Sequence, residues 1–272
     1  MVNRPCPLCS HHLSRRKYSV DSFRIVRCLN CGFVYLANPP EPETERDNYE
    51  SYFQSTQSAD ESESRKDLDS ILIINEHRIS MLKQYCPGGK LLDVGCGRGY
   101  FLHQAKQAGF QVEGVEISHR AAQYASEHFD VTVHIDNLDE ETSFDGDYDI
   151  ITMWHVLEHF QDPVTALQQV WTVLSPRGHL FIEVPNLRSL FFQLASNSKK
   201  WRGGNHPRYH RSFFTRDTLH RLLEQTGFIN KWDEHMVYDT GRSWITLASK
   251  KILSRFYRDS FLDAVAQKNE YK

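Results

Sequence analysis

The stretch LLDVGCGRGYF, residues 91–101, decides the fold. Leu91, Leu92 and Val94 make a short apolar run that closes in alternating glycines, Gly95, Gly97 and Gly99. Tyr100 and Phe101 then open the helical pattern YFLHQAKQAG. A buried strand that stops in glycines and passes into a helix is a βα turn, in which glycine permits tight chain reversal and close approach of a ligand to the backbone. The spacing here is G-x-G-x-G. A dinucleotide loop reads G-x-G-x-x-G and seats a pyrophosphate on the helix N-terminus. No G-K-[ST] follows, so a Walker phosphate loop is excluded as well. Asp93, two residues ahead of the first glycine, sets a carboxylate where a cationic group is welcome and a pyrophosphate is not.

Outward from the turn, strand and helix patterns alternate. DLDSILIINEHRISMLKQY is helical and stops at Pro87-Gly88-Gly89. FQVEGVEIS, VTVHID, the first half of YDIITMWHVLEHF and HLFIEVPN read as strands. HRAAQYASEHF, PVTALQQVWTVL and TRDTLHRLLEQTGF read as helices. This alternation predicts βαβ units, hence a doubly wound α/β domain over 67–250. Residues 41–66 are polar, rich in Ser and Glu, and read as a linker or arm. Residues 251–272 read as a terminal amphipathic helix.

Together LLDVGCGRG, VEGVEIS, HIDNL, YDIITMWHVLEHFQDP and SPRGHLFIEVPN make the chain resemble the class I S-adenosylmethionine-dependent methyltransferases over roughly residues 70–250. The resemblance implies that the α/β domain is completed as a Rossmann-like seven-stranded sheet with an insertion at about 187–216. It also implies that the backbone of Gly95, Cys96 and Gly97 lies against the methionine part of the cofactor, with Asp93 near its ammonium. Gly99, Tyr100 and Phe101 belong to the same implied site. It further implies that Glu116 holds the ribose hydroxyls, glutamate replacing the more usual aspartate, and that Ile117 packs on the adenine. Asp136, with the amides of Asn137 and Leu138, would take the adenine edge, and Trp154 and His155 would close over the cofactor.

The first forty residues carry Cys6-x-x-Cys9 and Cys28-x-x-Cys31, the spacing of a structural four-cysteine zinc site. A closed thiolate set leaves no position for water, so its metal would fold the segment and take no part in catalysis. Cys86 and Cys96 read as packing or loop residues. This zinc ribbon resembles the N-terminal segment of a methyltransferase subgroup often associated with sugar, cell-envelope or natural-product pathways, and points to a small-molecule or glycan-linked acceptor. Zinc-headed methyltransferases of similar length act on ribosomal RNA, which keeps RNA as an alternative acceptor. A non-catalytic interaction protein that binds the cofactor is a second alternative. Arg15, Arg16, Lys17, Arg24 and Arg27 make the ribbon locally basic, whereas residues 41–66 are acidic and the whole chain carries a net charge of −3. That balance gives no general attraction for nucleic acid or anionic membranes. The N-terminus has no signal-peptide core and no run of about 18 apolar residues occurs, so a cytoplasmic protein without a membrane span is expected.

Methyl transfer to a hydroxyl or carbon acceptor also requires a base. Histidine suits that task near neutral pH. The candidates are His155 and His159 in MWHVLEHF, and His206, Tyr209 and His210 in NHPRYHRSFF (residues 205–214), which follows the fifth strand and is expected to wall the acceptor pocket.

Overall fold

The computed structural model describes residues 4–41, 46–51, 53–54, 64–138, 146–189, 192, 206–231 and 260–269. Four parallel strands form the heart of the larger sheet: β4 (Gly89–Val94), β5 (Phe110–Glu116), β6 (Thr132–Ile135) and β7 (Tyr148–Trp154). A fifth, β8 (Leu174–Pro185), lies parallel to β7. With β10 (Phe228–Asn230) and β11 (Phe261–Lys268) the strand order is β10-β11-β8-β7-β4-β5-β6. The order reverses beside β4, and a reversal of this kind opens a crevice outside the carboxyl ends of the strands.

The period-2 geometry of a strand explains why β4 is apolar on both faces, at Leu91, Leu92 and Val94. Leu92 and Val94 enter one core with Ile151, Met153 and Leu180, while Leu91 enters the other with Ile150, Phe101 and Phe181. Helices α1 (Ser64–Tyr85), α2 (Tyr100–Gln107), α3 (His119–Phe129), α4 (Pro163–Val173) and α5 (Arg216–Gln225) complete the layers. Their starts are fixed locally. The Ser118 hydroxyl accepts from Ala121 N at 3.2 Å, Asp162 accepts from Val164 N at 3.0 Å, and Thr215 and Thr218 form a reciprocal capping box. Each such cap is worth roughly 1 kcal/mol.

Two expectations change. Residues 261–268 are a strand where an amphipathic helix was expected: β11 runs antiparallel between β8 and β10, pairing seven of its residues with β8 from Phe261↔Pro185 to Gln267↔His179. Its alanines favour a helix in isolation, but the open edge of β8 supplies a full ladder of backbone partners, and tertiary context overrides propensity. The part of that predicted helix at 251–259 lies outside the described residues. The polar arm also differs from a free linker. Residues 46–51 are helical, and Glu50 accepts from His119 N at 2.6 Å.

The ribbon is tied to the domain through a second sheet, β1 (Ser14–Val20), β2 (Phe23–Cys28), β3 (Val34–Leu36) and β9 (Ser212–Phe213). Its last strand comes from the histidine-rich stretch: Val34 pairs with Phe213 and Tyr35 with Ser212. Leu36 N donates to Arg211 O at 2.9 Å, and Phe33 packs on Phe214 with ring centroids 5.5 Å apart.

Candidate functional site

The glycine turn is held by backbone bonds to β5. Gly95 N and Cys96 N both donate to Val115 O, at 2.7 and 3.1 Å. Gly97 N donates to Glu116 Oε2 at 2.8 Å and Ser118 N to Glu116 Oε1 at 3.0 Å, so one carboxylate clamps both sides of the crevice. Gly95 has φ 70°, and a Cβ there would sit 2.5 Å from Val156 Cγ2. Gly97, at φ 53°, is different: its nearest neighbour is Phe53, at 3.8 Å. Gly95 is thus required by packing, whereas Gly97 keeps a surface open.

That surface belongs to a cleft at the carboxyl ends of β4, β5 and β7. Gly95, Gly97, Glu116, Ile117, Asp136, Asn137, Leu138, His155 and His159 line it, with Tyr49 and Phe53 closing it from the arm. The remaining nominated residues lie behind this wall. Asp93 is buried and accepts from Thr152 Oγ1 at 2.6 Å. Burial pushes its carboxyl up to about 7, against the opposing Thr152 hydroxyl. Burial also raises Glu116, opposed by the Ser118, Gly97 and Ile117 amides. Cys96 and Phe101 are core residues, and Gly99 abuts Ala125, where a Cβ would come within 2.7 Å. Tyr100 packs on Phe129. Trp154, expected over the cofactor, turns away from the cleft: its ring meets Phe101 edge-on and carries the Arg78 guanidinium 4.4 Å from its centroid.

His155 occupies a left-handed backbone conformation, φ 57°, which is rare for a non-glycine residue and clusters at functional positions. Its Nε2 lies 2.6 Å from Glu183 Oε1, and Arg78 Nη2 donates to the same oxygen at 2.7 Å. Burial opposes charge on His155, but the Glu183 hydrogen bond and the charges of Glu183 and Glu158 outweigh it, and the net displacement is above 6.5.

Around His155 gather three more of the nominated residues. His159 Nδ1 lies 2.8 Å from Tyr49 Oη and 3.1 Å from Tyr209 O, and the His159 and His210 rings meet edge-on at 4.7 Å. Burial drives His159 down to about 4 and His210 well below 6.5, so both imidazoles are neutral at pH 7. His206 does not join them. It faces the ribbon, with Nε2 3.7 Å from Asp21 and its ring against Phe23. Asn205 and most of the 187–216 insertion ahead of it lie outside the described residues. Sequence reading missed Tyr49, Phe53, Arg78 and Glu183. The aromatics in NYESYF, within an otherwise polar run, were the available signal for the first two; Arg78 and Glu183 look like ordinary helix and strand residues until the fold pairs them.

The four ribbon cysteines converge. Cys6 and Cys31 sulfurs are 3.6 Å apart, as are those of Cys9 and Cys28, and all four lie within 4.8 Å of one another. A zinc tetrahedron with bonds of about 2.3 Å has sulfur–sulfur edges of roughly 3.8 Å, so the set fits that ion. Each knuckle closes on a left-handed residue, Ser10 N donating to Cys6 O at 2.8 Å and Gly32 N to Cys28 O at 3.2 Å.

The chain matches the methyltransferase domain family over residues 72–230. It is 29% identical over 132 residues to a ubiquinone biosynthesis O-methyltransferase of Ralstonia nicotianae, an alignment covering 45% of this chain and 55% of the relative. A Vibrio campbellii protein of the same name is 27% identical over 150 residues, covering 51% and 63%. The chain thus spans a little over half the length of the curated relatives it matches. Among solved structures, the magnesium protoporphyrin IX methyltransferase of Synechocystis superposes with TM-score 0.62 at 17% identity, covering 84% of this chain and all of that one. The 1,6-didemethyltoxoflavin N1-methyltransferase of Burkholderia thailandensis superposes with TM-score 0.57 at 16% identity, covering 94% of this chain and all of that one. At these identities the superpositions establish the fold. No helix among the described residues is long and apolar enough to cross a membrane.

Proposed function

We propose, for a chain that belongs to the methyltransferase domain family, that it transfers a methyl group from S-adenosylmethionine to a small-molecule or glycan-linked acceptor. The observation that carries this reading is the clamp of Glu116 across the glycine turn, at the mouth of a cleft whose far side presents His155. The Gly97, Ser118 and Ile117 amides occupy three of the four lone-pair positions of the Glu116 carboxylate, and the fourth is left for a ribose hydroxyl. Ile117 and Leu138 offer apolar faces to a base, and Asp136 can accept from its amino group. Asp93 then acts from beneath, setting the end of β4 and lending negative potential to the loop.

The cofactor, when bound, supplies a methyl group already activated on a sulfonium, so the protein's task is alignment and removal of a proton. With Nε2–H of His155 donating to Glu183, Nδ1 carries the lone pair. That Nδ1 would take the proton from the acceptor atom that receives the methyl group. Tyr49 and Phe53 exclude water from the closed site. Relatives and structural neighbours named for quinone, porphyrin and toxoflavin methylation support a small acceptor over RNA. In the same reading a structural zinc on Cys6, Cys9, Cys28 and Cys31 holds the ribbon, which through the β3–β9 pairing fixes Tyr209 and His210 as acceptor wall. Thiolate sites persist where thiols stay reduced, which supports a reaction in the cytoplasm.

The test pairs calorimetry of S-adenosylmethionine binding with a labelled-methyl screen over quinone-like phenols, nucleotide-sugars, cell extract and RNA. Glu116→Ala abolishes binding, and label enters a small or glycan-linked product. Cofactor binding that survives this substitution, or label found in RNA alone with steep salt dependence, overturns the reading.

A further inference from the structure

Behind the cleft, Glu158, His159 and His210 bring one ligand atom each within 4.8 Å of the other two. The Glu158 side chain is 1% exposed, yet neither of its carboxylate oxygens has a hydrogen-bond partner among the described residues. Buried carboxylates are otherwise paired or bonded, because stranding one away from water costs several kcal/mol. Histidines around it do not relieve the cost: His155 Nδ1 stands 3.9 Å from Glu158 Oε1 and His159 Nε2 stands 4.0 Å from it. Both separations are too long for hydrogen bonds, and that of His159 suits a group sharing a central ion with Glu158.

The surrounding bonds prepare the ligands. His159 Nδ1 faces Tyr49 Oη at 2.8 Å and Tyr209 O at 3.1 Å; the carbonyl can only accept, and a proton on Nδ1 shared between these two oxygens leaves the Nε2 lone pair facing Glu158. Metal-ligating histidines are oriented in just this manner, through a carbonyl on the other nitrogen. Arg211 N donates to Glu158 O at 2.8 Å, which locks the chain next to His210 onto the chain of Glu158. His159 and His155 also line the cleft, so an ion among these side chains would face its contents.

We infer that Glu158, His159 and His210 form a site for a borderline divalent transition-metal ion, with a coordination position open toward the acceptor. Two imidazoles and one carboxylate disfavour magnesium and calcium, which take oxygen donors, and suit zinc, iron or cobalt. The same donor count with an open position is found in catalytic zinc sites. Bonds of about 2.1 Å demand edges of roughly 3.4 Å, so the three atoms, now within 4.8 Å of one another, would draw together on taking up an ion. The role of the ion rests on the methyl-transfer reading: it would hold an acceptor hydroxyl oxygen as a Lewis acid, so that the proton passes more readily to His155 Nδ1. The existence of the site does not rest on that reading.

The experiment uses the full chain, stripped with chelator and reloaded with Zn²⁺ or Co²⁺ in the absence of cofactor and acceptor. Wild type takes up two ions per chain. Glu158→Gln and His210→Gln each take up one, while Cys6→Ser with Cys9→Ser loses the other. With Co²⁺ the ribbon gives a thiolate charge-transfer band, and the second site gives only weaker ligand-field bands that disappear in Glu158→Gln while the thiolate band stays. One ion per chain in the wild type, or ligand-field bands unchanged by Glu158→Gln, overturns the site and leaves the methyltransferase reading standing. Equal displacement by equimolar Mg²⁺ overturns the assigned metal class. A two-ion protein that transfers no methyl group to any acceptor upholds the site and strikes the functional reading instead.

Discussion

Substituting alanine at Gly95 and at Gly97 separates two jobs of the glycine turn. Both residues have positive φ, 70° and 53°, so each alanine carries about 1–2 kcal/mol of left-handed strain. At Gly95 the added methyl also arrives 2.5 Å from Val156 Cγ2 and 3.0 Å from Cγ1. Val156 sits between β7 and the 3-10 turn Leu157–His159, where the backbone is pinned by His159 N donating to Val156 O at 2.9 Å. It cannot retreat without moving the site, and overpacking of this kind costs roughly 1–3 kcal/mol more. Gly95→Ala therefore loses about 2–5 kcal/mol in urea unfolding without ligands, a large part of an ordinary domain's stability. Gly97→Ala loses about 1–2 kcal/mol, because its methyl meets only Phe53, at 3.8 Å. Its effect appears in cofactor affinity, measured by calorimetry, since the methyl enters the cleft. The double variant Gly95→Ala, Val156→Ala recovers the overpacking part and keeps the strain. Equal destabilisation by the two alanines, or no recovery on truncating Val156, refutes the steric account.

Three further outcomes follow from other parts of the molecule. His155 is held above 6.5, so on its proposed role as base kcat/KM falls as pH drops through that raised value; Glu183→Gln moves this acid limb to lower pH, and a stationary limb removes Glu183 as the positioning partner. The same shift carries a stability sign: the His155–Glu183 contribution is complete below pH 6.5 and fades as pH rises through the raised value, a trend that urea midpoints across pH should lose in Glu183→Gln. Ala264→Asp, at a β11 position that is 1% exposed, should cost more than about 3 kcal/mol or abolish soluble expression, whereas wild-type-like melting would return residues 261–268 to a peripheral element. Zinc removal through Cys6→Ser with Cys9→Ser should speed amide exchange at Ser212 and Phe213, the ribbon's partners in β9, and unchanged exchange there would uncouple ribbon from acceptor wall.

Local patterns carried much of this protein into view before any coordinates. The apolar run into Gly95, Gly97 and Gly99 specifies a strand, a turn and a helix, because glycine adopts left-handed dihedrals at least cost and, at Gly95 and Gly99, sets no Cβ against Val156 and Ala125. The paired cysteines predict by spacing alone the four-sulfur cluster that the fold assembles, and Ser118, Asp162 and Thr215 mark helix starts through bonds confined to their own turn. Glu116 and Asp136 were placed at the ends of their strands by counting, and both line the cleft.

Distance along the chain hid the rest. Trp154 looks from sequence like a lid and proves to be a buried platform for Arg78, since only the sheet's twist and the course of α1 decide which way a strand-end side chain turns. The strand at 261–268 was invisible because its ladder is written in β8, not in its own residues. Tyr49 reaches His159 across 110 positions, and Glu158 acquires His210 from a distant segment by way of the β3–β9 pairing and the Arg211–Glu158 bond. Sequence alone determined a doubly wound α/β sheet, a glycine turn after its first strand and a four-cysteine ribbon, each a matter of short-range sterics and spacing. The likeness to class I methyltransferases rested on several such motifs taken together. Tertiary structure decided which histidines share the site, that His206 stands outside it, and that a buried carboxylate sits among them with no hydrogen-bond partner from the described residues. Those are contacts between distant segments, and their energies depend on burial that no local pattern encodes.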